Sequence, residues 1–102
     1  MVVTGSAAEV LRFHDWEAVR AGGRVVHWRA RMTRQTRDPL GYLVYTLYDP
    51  GGHALSRSTL DYRNAFVYDG QAFDPGDSLP VTIVAARSAP VVSRIEIEVH
   101  RP

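Results

Sequence analysis

Within residues 24–33, three alternate positions carry side chains that can bind anions or protons. His27, Arg29 and Arg31 alternate with apolar residues, and period-two alternation is typical of a β-strand with one face in water. The three side chains are therefore expected side by side on the outward face of that strand. All 12 Lys or Arg residues of the chain are Arg. Planar guanidinium groups suit carboxylate and phosphate oxygens, but codon bias in a GC-rich genome gives the same composition.

The following segment, residues 42–48, adds aromatic side chains at outward positions. If its strand lies beside residues 24–33, a mixed basic and aromatic patch results, of the kind enriched in protein interfaces. The sequence thus predicts a protein-binding site formed by His27, Arg29, Arg31, Tyr42, Val44 and Tyr48. Two other interpretations stay open: a sheet face whose arginines pair with acids across strands, and binding of single-stranded nucleic acid. The near-neutral net charge of +1 weighs against nucleic acid.

Residues suited to catalysis or metal binding do not form a recognised pattern. The chain has no Cys, its serines lack a Gly-x-Ser-x-Gly context, and its four histidines lack metal-pair spacing. We therefore expect no enzyme activity, no cofactor and no metal site. Two ligand classes stay as alternatives. Calcium would bind turn carboxylates, and the candidates are Asp61, Asp69, Asp74 and Asp77. Carbohydrate would bind exposed aromatic rings, and the candidates are Trp16, Tyr62, Tyr68 and Phe73.

Turn signals divide the chain into short strands about ten residues apart. Such spacing predicts a single all-β domain over residues 1–102, an immunoglobulin-like or fibronectin-III-like antiparallel β-sandwich of about seven strands, with residues 1–7 disordered. The predicted strands are 9–16, 24–33, 42–48, 53–61, 64–69, 81–87 and 92–100; only residues 6–20 also fit a helix. The predicted core is Val26, Trp28, Ala30, Met32, Leu43, Tyr45, Leu47, Val81, Ile83, Ile95, Ile97 and Val99.

The run Tyr45-Thr46-Leu47-Tyr48-Asp49 followed by Pro50-Gly51-Gly52 resembles the motif of FxLYD-type domains of bacteria and archaea. Pro75-Gly76 matches a later turn of that family, and the resemblance covers about residues 24–87. Arg34-Gln35-Thr36 and Val81 depart from its usual Asn-rich turn and Phe. The resemblance implies an immunoglobulin-like module of the cell envelope without established catalysis. From the residues themselves, the motif predicts a folding element, in which Asp49 accepts hydrogen bonds from turn amides.

These observations together predict a non-catalytic protein-interaction or structural module, associated with the bacterial cell envelope. The partner is expected to be another protein or a second copy, bound through a sheet face or an edge strand. The sequence contains no run of 18 apolar residues, so it predicts no transmembrane segment. Its first residues do not resemble a signal peptide. The alternative remains a small carbohydrate- or calcium-binding sandwich.

Overall fold

The protein folds into two β-sheets that face each other across one hydrophobic core. The computed structural model describes residues 2–38, 40–60, 73–84 and 91–100, and in that part regular structure is β apart from one short 3-10 helix. The elements are β1 (Val2–Thr4), the 3-10 helix (Ser6–Glu9), β2 (Leu11–Ala21), β3 (Arg24–Arg34), β4 (Tyr42–Tyr48), β5 (Ala54–Leu60), β6 (Ser78–Val84) and β7 (Arg94–His100). The predicted all-β sandwich of about seven strands is confirmed.

The order of the strands decides which surfaces exist. One sheet has the order β1-β7-β4-β5 and the other has the order β2-β3-β6. The chain crosses between the sheets from β3 to β4, so these consecutive strands are not neighbours. All pairings are antiparallel except β1 with β7, which is parallel. None of the described helices is long and apolar enough to cross a membrane.

Strand β2 contains a bulge that the sequence pattern conceals. Two residues, Asp15 and Trp16, lie between the paired positions His14 and Glu17, opposite a single residue of β3. Asp15 adopts a left-handed backbone angle, φ 56°, which takes up the extra residue. The bulge puts Phe13 and Trp16 three residues apart against the core, a spacing that also fits a helix. The helical alternative for residues 6–20 is therefore wrong beyond the 3-10 helix.

The N-terminal residues are ordered where the sequence predicted disorder. Val2–Thr4 pair with Arg94–Glu96 of β7, and Gly5 packs against the backbone of Ile97. The strand predicted at 9–16 instead spans Leu11–Ala21, because two glycines with positive φ at positions 22 and 23 form a tight hairpin turn into β3. The strand predicted at 64–69 lies outside the described residues.

The core lies between the sheets and follows the alternating pattern with few exceptions. Nine of the twelve predicted core residues are buried: Ala30, Met32, Leu43, Tyr45, Leu47, Val81, Ile83, Ile95 and Ile97. Trp28 and Val99 are partly buried against them. Val26 is 38% exposed, so its core assignment is wrong; it lies near the hairpin end of β3. Ala7, Val10, Leu11, Leu60 and Phe73 complete the core.

Side-chain hydrogen bonds fix the sheets and loops around this core. The Tyr45 hydroxyl, on the four-stranded sheet, accepts the N–H of Val84 on β6 at 3.2 Å and so links the two sheets. The Arg34 guanidinium donates to the carbonyl oxygens of Thr36 at 2.8 Å, Phe73 at 2.5 Å and Asp38 at 2.9 Å. Arg34 therefore has a structural role and is not part of an exposed basic surface.

Candidate functional site

The predicted site residues lie on two different surfaces. His27, Arg29 and Arg31 share the outer face of the three-stranded sheet, as the alternation of β3 predicted. The remaining three predicted residues are on β4, in the four-stranded sheet, and point away from the core on the opposite side of the sandwich: Tyr42, Val44 and Tyr48. The single basic and aromatic patch is therefore wrong, because β3 and β4 belong to different sheets.

The outer face of the four-stranded sheet, called here the paired face, is occupied by its own side chains. Tyr42 stacks on His100 with ring centroids 5.0 Å apart and an interplanar angle of 12°. Val44 is only 7% exposed, although it lies outside the core. The Tyr48 hydroxyl donates to Glu96 at 3.3 Å. Tyr42 is still 47% exposed, whereas Tyr48 is half-buried and its hydroxyl is engaged.

The charges of the paired face are also matched to one another. Glu98 accepts from Arg57 at 3.0 Å and lies 3.2 Å from the His100 ring nitrogen. The Arg94 guanidinium lies over the Tyr48 ring at 3.9 Å and 3.8 Å from the Glu96 carboxylate. Arg57 and Glu98 therefore neutralise each other across strands, and Arg94 and Glu96 do so along β7. Salt bridges of the kind considered for residues 24–33 are thus found on the paired face, whereas the structure records no ion pair between Arg29 or Arg31 and any described residue.

The outer face of the three-stranded sheet is different, and we call it the arginine face. Cross-strand register places Arg12, Arg29 and Arg31 on it, together with His14 and His27. Arg12 and Arg29 make no hydrogen bond or ion pair with any described residue. Glu17 is the cross-strand partner of Arg29, yet the structure records no ion pair between them. These guanidinium groups keep their hydrogen-bonding capacity for a partner.

At one end of the arginine face, hydrogen bonds join the side chains of His14, Thr33 and Ser78, and the Asp15 carboxylate lies beside the imidazole; we call these four side chains the hydroxyl chain. Asp15 lies 3.1 Å from His14 Nδ1, and His14 Nε2 lies 2.6 Å from Thr33 Oγ1. Thr33 Oγ1 in turn lies 2.6 Å from Ser78 Oγ. The bulge at Asp15 keeps its carboxylate next to the imidazole. The guanidinium of Arg31 closes the group by donating to the Ser78 carbonyl oxygen at 3.4 Å.

The order carboxylate, imidazole, hydroxyl also occurs in the catalytic triads of hydrolases. Such triads act beside donors aimed at a developing oxyanion, inside a concave site. Here the chain lies on an open sheet face, and the Asp15 side chain is 70% exposed. These residues could not be found from the sequence because they come from three different strands, and no fixed spacing along the chain encodes their contacts.

A concave feature lies between the two sheets, apart from the arginine face. A groove of about 400 Å³ is lined by Trp16, Ala18 and Trp28 of the three-stranded sheet and by Val2, Val92 and Ser93 on the other side. Both indole rings are half-buried. Of the aromatic residues predicted for carbohydrate, Trp16 lines this groove and Phe73 is buried in the core. Tyr62 and Tyr68 lie outside the described residues.

The turn carboxylates serve the backbone where they are described. Asp77 accepts the N–H of Asp74 at 3.0 Å, and Asp49 accepts the N–H of His53 at 2.8 Å, as the sequence predicted for Asp49. The His53 N–H bond is the main cause that lowers the pKa of Asp49 below its ordinary value. Within the described residues, no three His, Cys, Asp or Glu side chains are grouped to hold a metal. Asp61 and Asp69 lie outside those residues.

Comparison of the chain with family models, curated proteins and solved structures finds no match, so the site is interpreted from its own geometry.

Proposed function

We propose that this protein is a non-catalytic interaction module that binds an acidic protein surface through the arginine face. The observation that carries the proposal is the contrast between the two outer faces. On the paired face the arginines are neutralised by Glu96 and Glu98, whereas on the arginine face Arg12 and Arg29 have no described partner.

The physical chemistry of the arginine face suits a carboxylate-rich partner. An exposed guanidinium binds a carboxylate through two parallel hydrogen bonds, which adds geometric specificity to the charge attraction. Arg29 and Arg31 are two residues apart on β3, so their guanidinium stems emerge side by side from the sheet. A partner with acidic side chains at a similar spacing would engage both at once. Opposite charges across an interface also accelerate association.

The resemblance of Tyr45-Thr46-Leu47-Tyr48-Asp49 to the FxLYD motif supports a place among bacterial envelope modules. In the structure, Tyr45 and Leu47 of this motif are buried in the core, and Asp49 holds the turn after β4. The motif therefore supports the choice of module type, and the binding proposal rests on the arginine face alone.

The experiment is an affinity capture with three versions of the full chain: the wild type, an Arg29→Ala/Arg31→Ala double variant, and an Arg37→Ala/Arg57→Ala control. The control also removes two positive charges, but from positions outside the arginine face. Proteins captured at moderate salt are identified by mass spectrometry, and the affinity of each is then measured for the three versions. We expect a partner that the wild type and the control bind and the double variant loses.

A captured set that is the same for all three versions would refute the arginine face as the binding surface. Loss of binding in both double variants would also refute it, because the effect would then follow the net charge and not the position. Circular dichroism and thermal unfolding check that each variant is folded.

The groove between Trp16 and Trp28 supports a second candidate function, the binding of a carbohydrate. Indole rings provide flat apolar surfaces for sugar rings, and the groove volume of about 400 Å³ lies in the range of small-ligand sites. Titration with a panel of oligosaccharides, followed by tryptophan fluorescence, tests it. A saturable change that Trp16→Ala abolishes would support the groove, and no change with any sugar would reject it.

A further inference from the structure

The most specific chemistry on the arginine face lies where Arg31, Thr33 and Ser78 meet. Arg31 leans from its own cross-strand row toward Ser78, whose carbonyl oxygen it reaches at 3.4 Å. Arg12 is the cross-strand partner of Thr33, which places their Cβ atoms about 5 Å apart on the same face. Arg12, Thr33 and Ser78 therefore lie in one cross-strand row, and His14 and Arg31 lie in the next row of the same open sheet face.

The hydroxyl chain can run in two directions, and a hydrogen on Nε2 of His14 decides between them. With a neutral imidazole that carries its hydrogen on Nδ1, the nitrogen beside the Asp15 carboxylate, Nε2 accepts the Thr33 proton and Thr33 accepts the Ser78 proton. With a protonated imidazole, Nε2–H donates to Thr33, Thr33 donates to Ser78, and the Ser78 proton turns outward. Only the second arrangement presents a hydroxyl donor to an anion beside Arg31.

We propose that this end of the arginine face binds a phosphate group carried by the acidic protein partner, and that His14 takes up a proton from solvent as it binds. The inference rests on the proposed function, since it specifies which group of the partner is recognised. A phosphate ester offers three oxygens around one centre, enough for both guanidinium groups and the Ser78 hydroxyl together. A carboxylate offers only two.

The charged groups around His14 set the direction of the pH dependence. On β2 they are Arg12, Asp15 and Glu17, and on β3 they are Arg29 and the directly opposite Arg31. The outward residues of β6 are uncharged: Ser78, Pro80, Thr82 and Val84. The Asp15 carboxylate lies beside the His14 ring and Arg31 lies opposite it, and a bound dianion would offset the charge of Arg31. Anion binding and proton uptake at His14 should therefore reinforce each other.

The first test titrates the ¹⁵N-labelled full chain with inorganic phosphate at constant ionic strength and follows backbone amide shifts. We expect saturable shifts centred on Thr33 and Ser78, with weak affinity because both arginines are exposed to water. Ser78→Ala should weaken the affinity about tenfold, since it removes a hydrogen bond to a charged group. Ser58→Ala, which removes an exposed hydroxyl from β5, should leave it unchanged. Equal affinity in Ser78→Ala would overturn the proposal, as would shifts spread evenly over both sheets.

The second test uses inorganic sulfate, which stays a dianion between pH 6 and pH 8, so that a pH effect reports on the protein. Wild type should bind sulfate several-fold more tightly at pH 6 than at pH 8. His14→Gln should lose that difference, and His27→Gln, on the same face, should keep it. An affinity that is equal at both pH values in the wild type would overturn the coupling to His14.

The inference and the proposed function fail in different ways. Phosphatase treatment of the lysate before affinity capture should abolish capture of the partner that depends on Arg29 and Arg31. If that partner is captured equally well after treatment, or if the phosphate titration is flat, the phosphate site is wrong and the interaction module stands. If phosphate binds but no captured protein depends on Arg29 and Arg31, the proposed function is wrong.

Discussion

Gly5 offers a sharp test of how the N-terminal strand is attached to the sandwich. It joins β1 to the 3-10 helix with backbone angles φ 99° and ψ 172°, a region that is essentially restricted to glycine. A Cβ atom at this position would overlap the carbonyl oxygen of Ile97 and lie 2.9 Å from its carbonyl carbon. Gly5→Ala therefore introduces both backbone strain and a collision with β7.

The size of the effect follows from these two terms. The backbone strain is worth about 1–3 kcal/mol, and forcing an extra carbon into a packed site costs about 1–3 kcal/mol more. Ile97 has little room to move, because it is fully buried and paired with Tyr45 of β4. We expect Gly5→Ala to lower the free energy of unfolding by about 2–6 kcal/mol, a large share of the roughly 5–15 kcal/mol typical of a domain.

Urea unfolding followed by fluorescence measures this loss, and Gly52→Ala is the matched control. Gly52 also has a positive φ, 83°, but a Cβ there would meet nothing within 4 Å. Its substitution should cost only the strain of a positive φ, about 1–2 kcal/mol. If both variants lose the same stability, the close packing of Gly5 on Ile97 is wrong. Hydrogen exchange of the β1 amides would show whether the variant instead releases the strand.

Four further substitutions test the core, the link between the sheets and the turn. Leu47→Ala should cost about 2–5 kcal/mol in urea unfolding because Leu47 is fully buried, whereas Val26→Ala should cost less than about 1 kcal/mol; equal losses would contradict the assigned core. Tyr45→Phe leaves the Val84 N–H without its acceptor and should cost about 1–3 kcal/mol; an unchanged stability would reject that bond. The pKa of Asp49 is lowered in the folded state, so its stabilisation is present above the unfolded pKa and lost as pH falls through the folded pKa. Acid unfolding of Asp49→Asn should lack this component, and an identical pH profile would contradict it.

The alternation of apolar and polar residues predicted which residues of a regular strand point into the core. It failed where a bulge reverses which residues point inward. In β3, β4 and β7 the period of two placed Met32, Leu47 and Ile97 inside correctly. In β2 the bulge at Asp15 shifts the phase, so a strand of 11 residues has no single alternating pattern. A bulge depends on the register with the neighbouring strand, which local sequence does not encode.

The candidate site was predicted in part for the same reason. His27, Arg29 and Arg31 lie on one outward face because that depends only on the period of their own strand. The predicted aromatic neighbours were wrong because the neighbour of β3 depends on the order of strands in the sheet. His14, Thr33 and Ser78 come from three strands, and only the sheet topology brings them into contact.

The strand order also explains why the acids of β7 do not reach the arginine face. The chain has nearly equal numbers of acidic and basic residues, so pairing is a question of position and not of supply. Glu96 and Glu98 alternate on β7, which lies beside β4 and so serves the paired face. Had β7 lain beside β3, these carboxylates would have been cross-strand partners for Arg29 and Arg31. Instead β3 lies beside β6, whose outward residues carry no charge, and the arginines remain available.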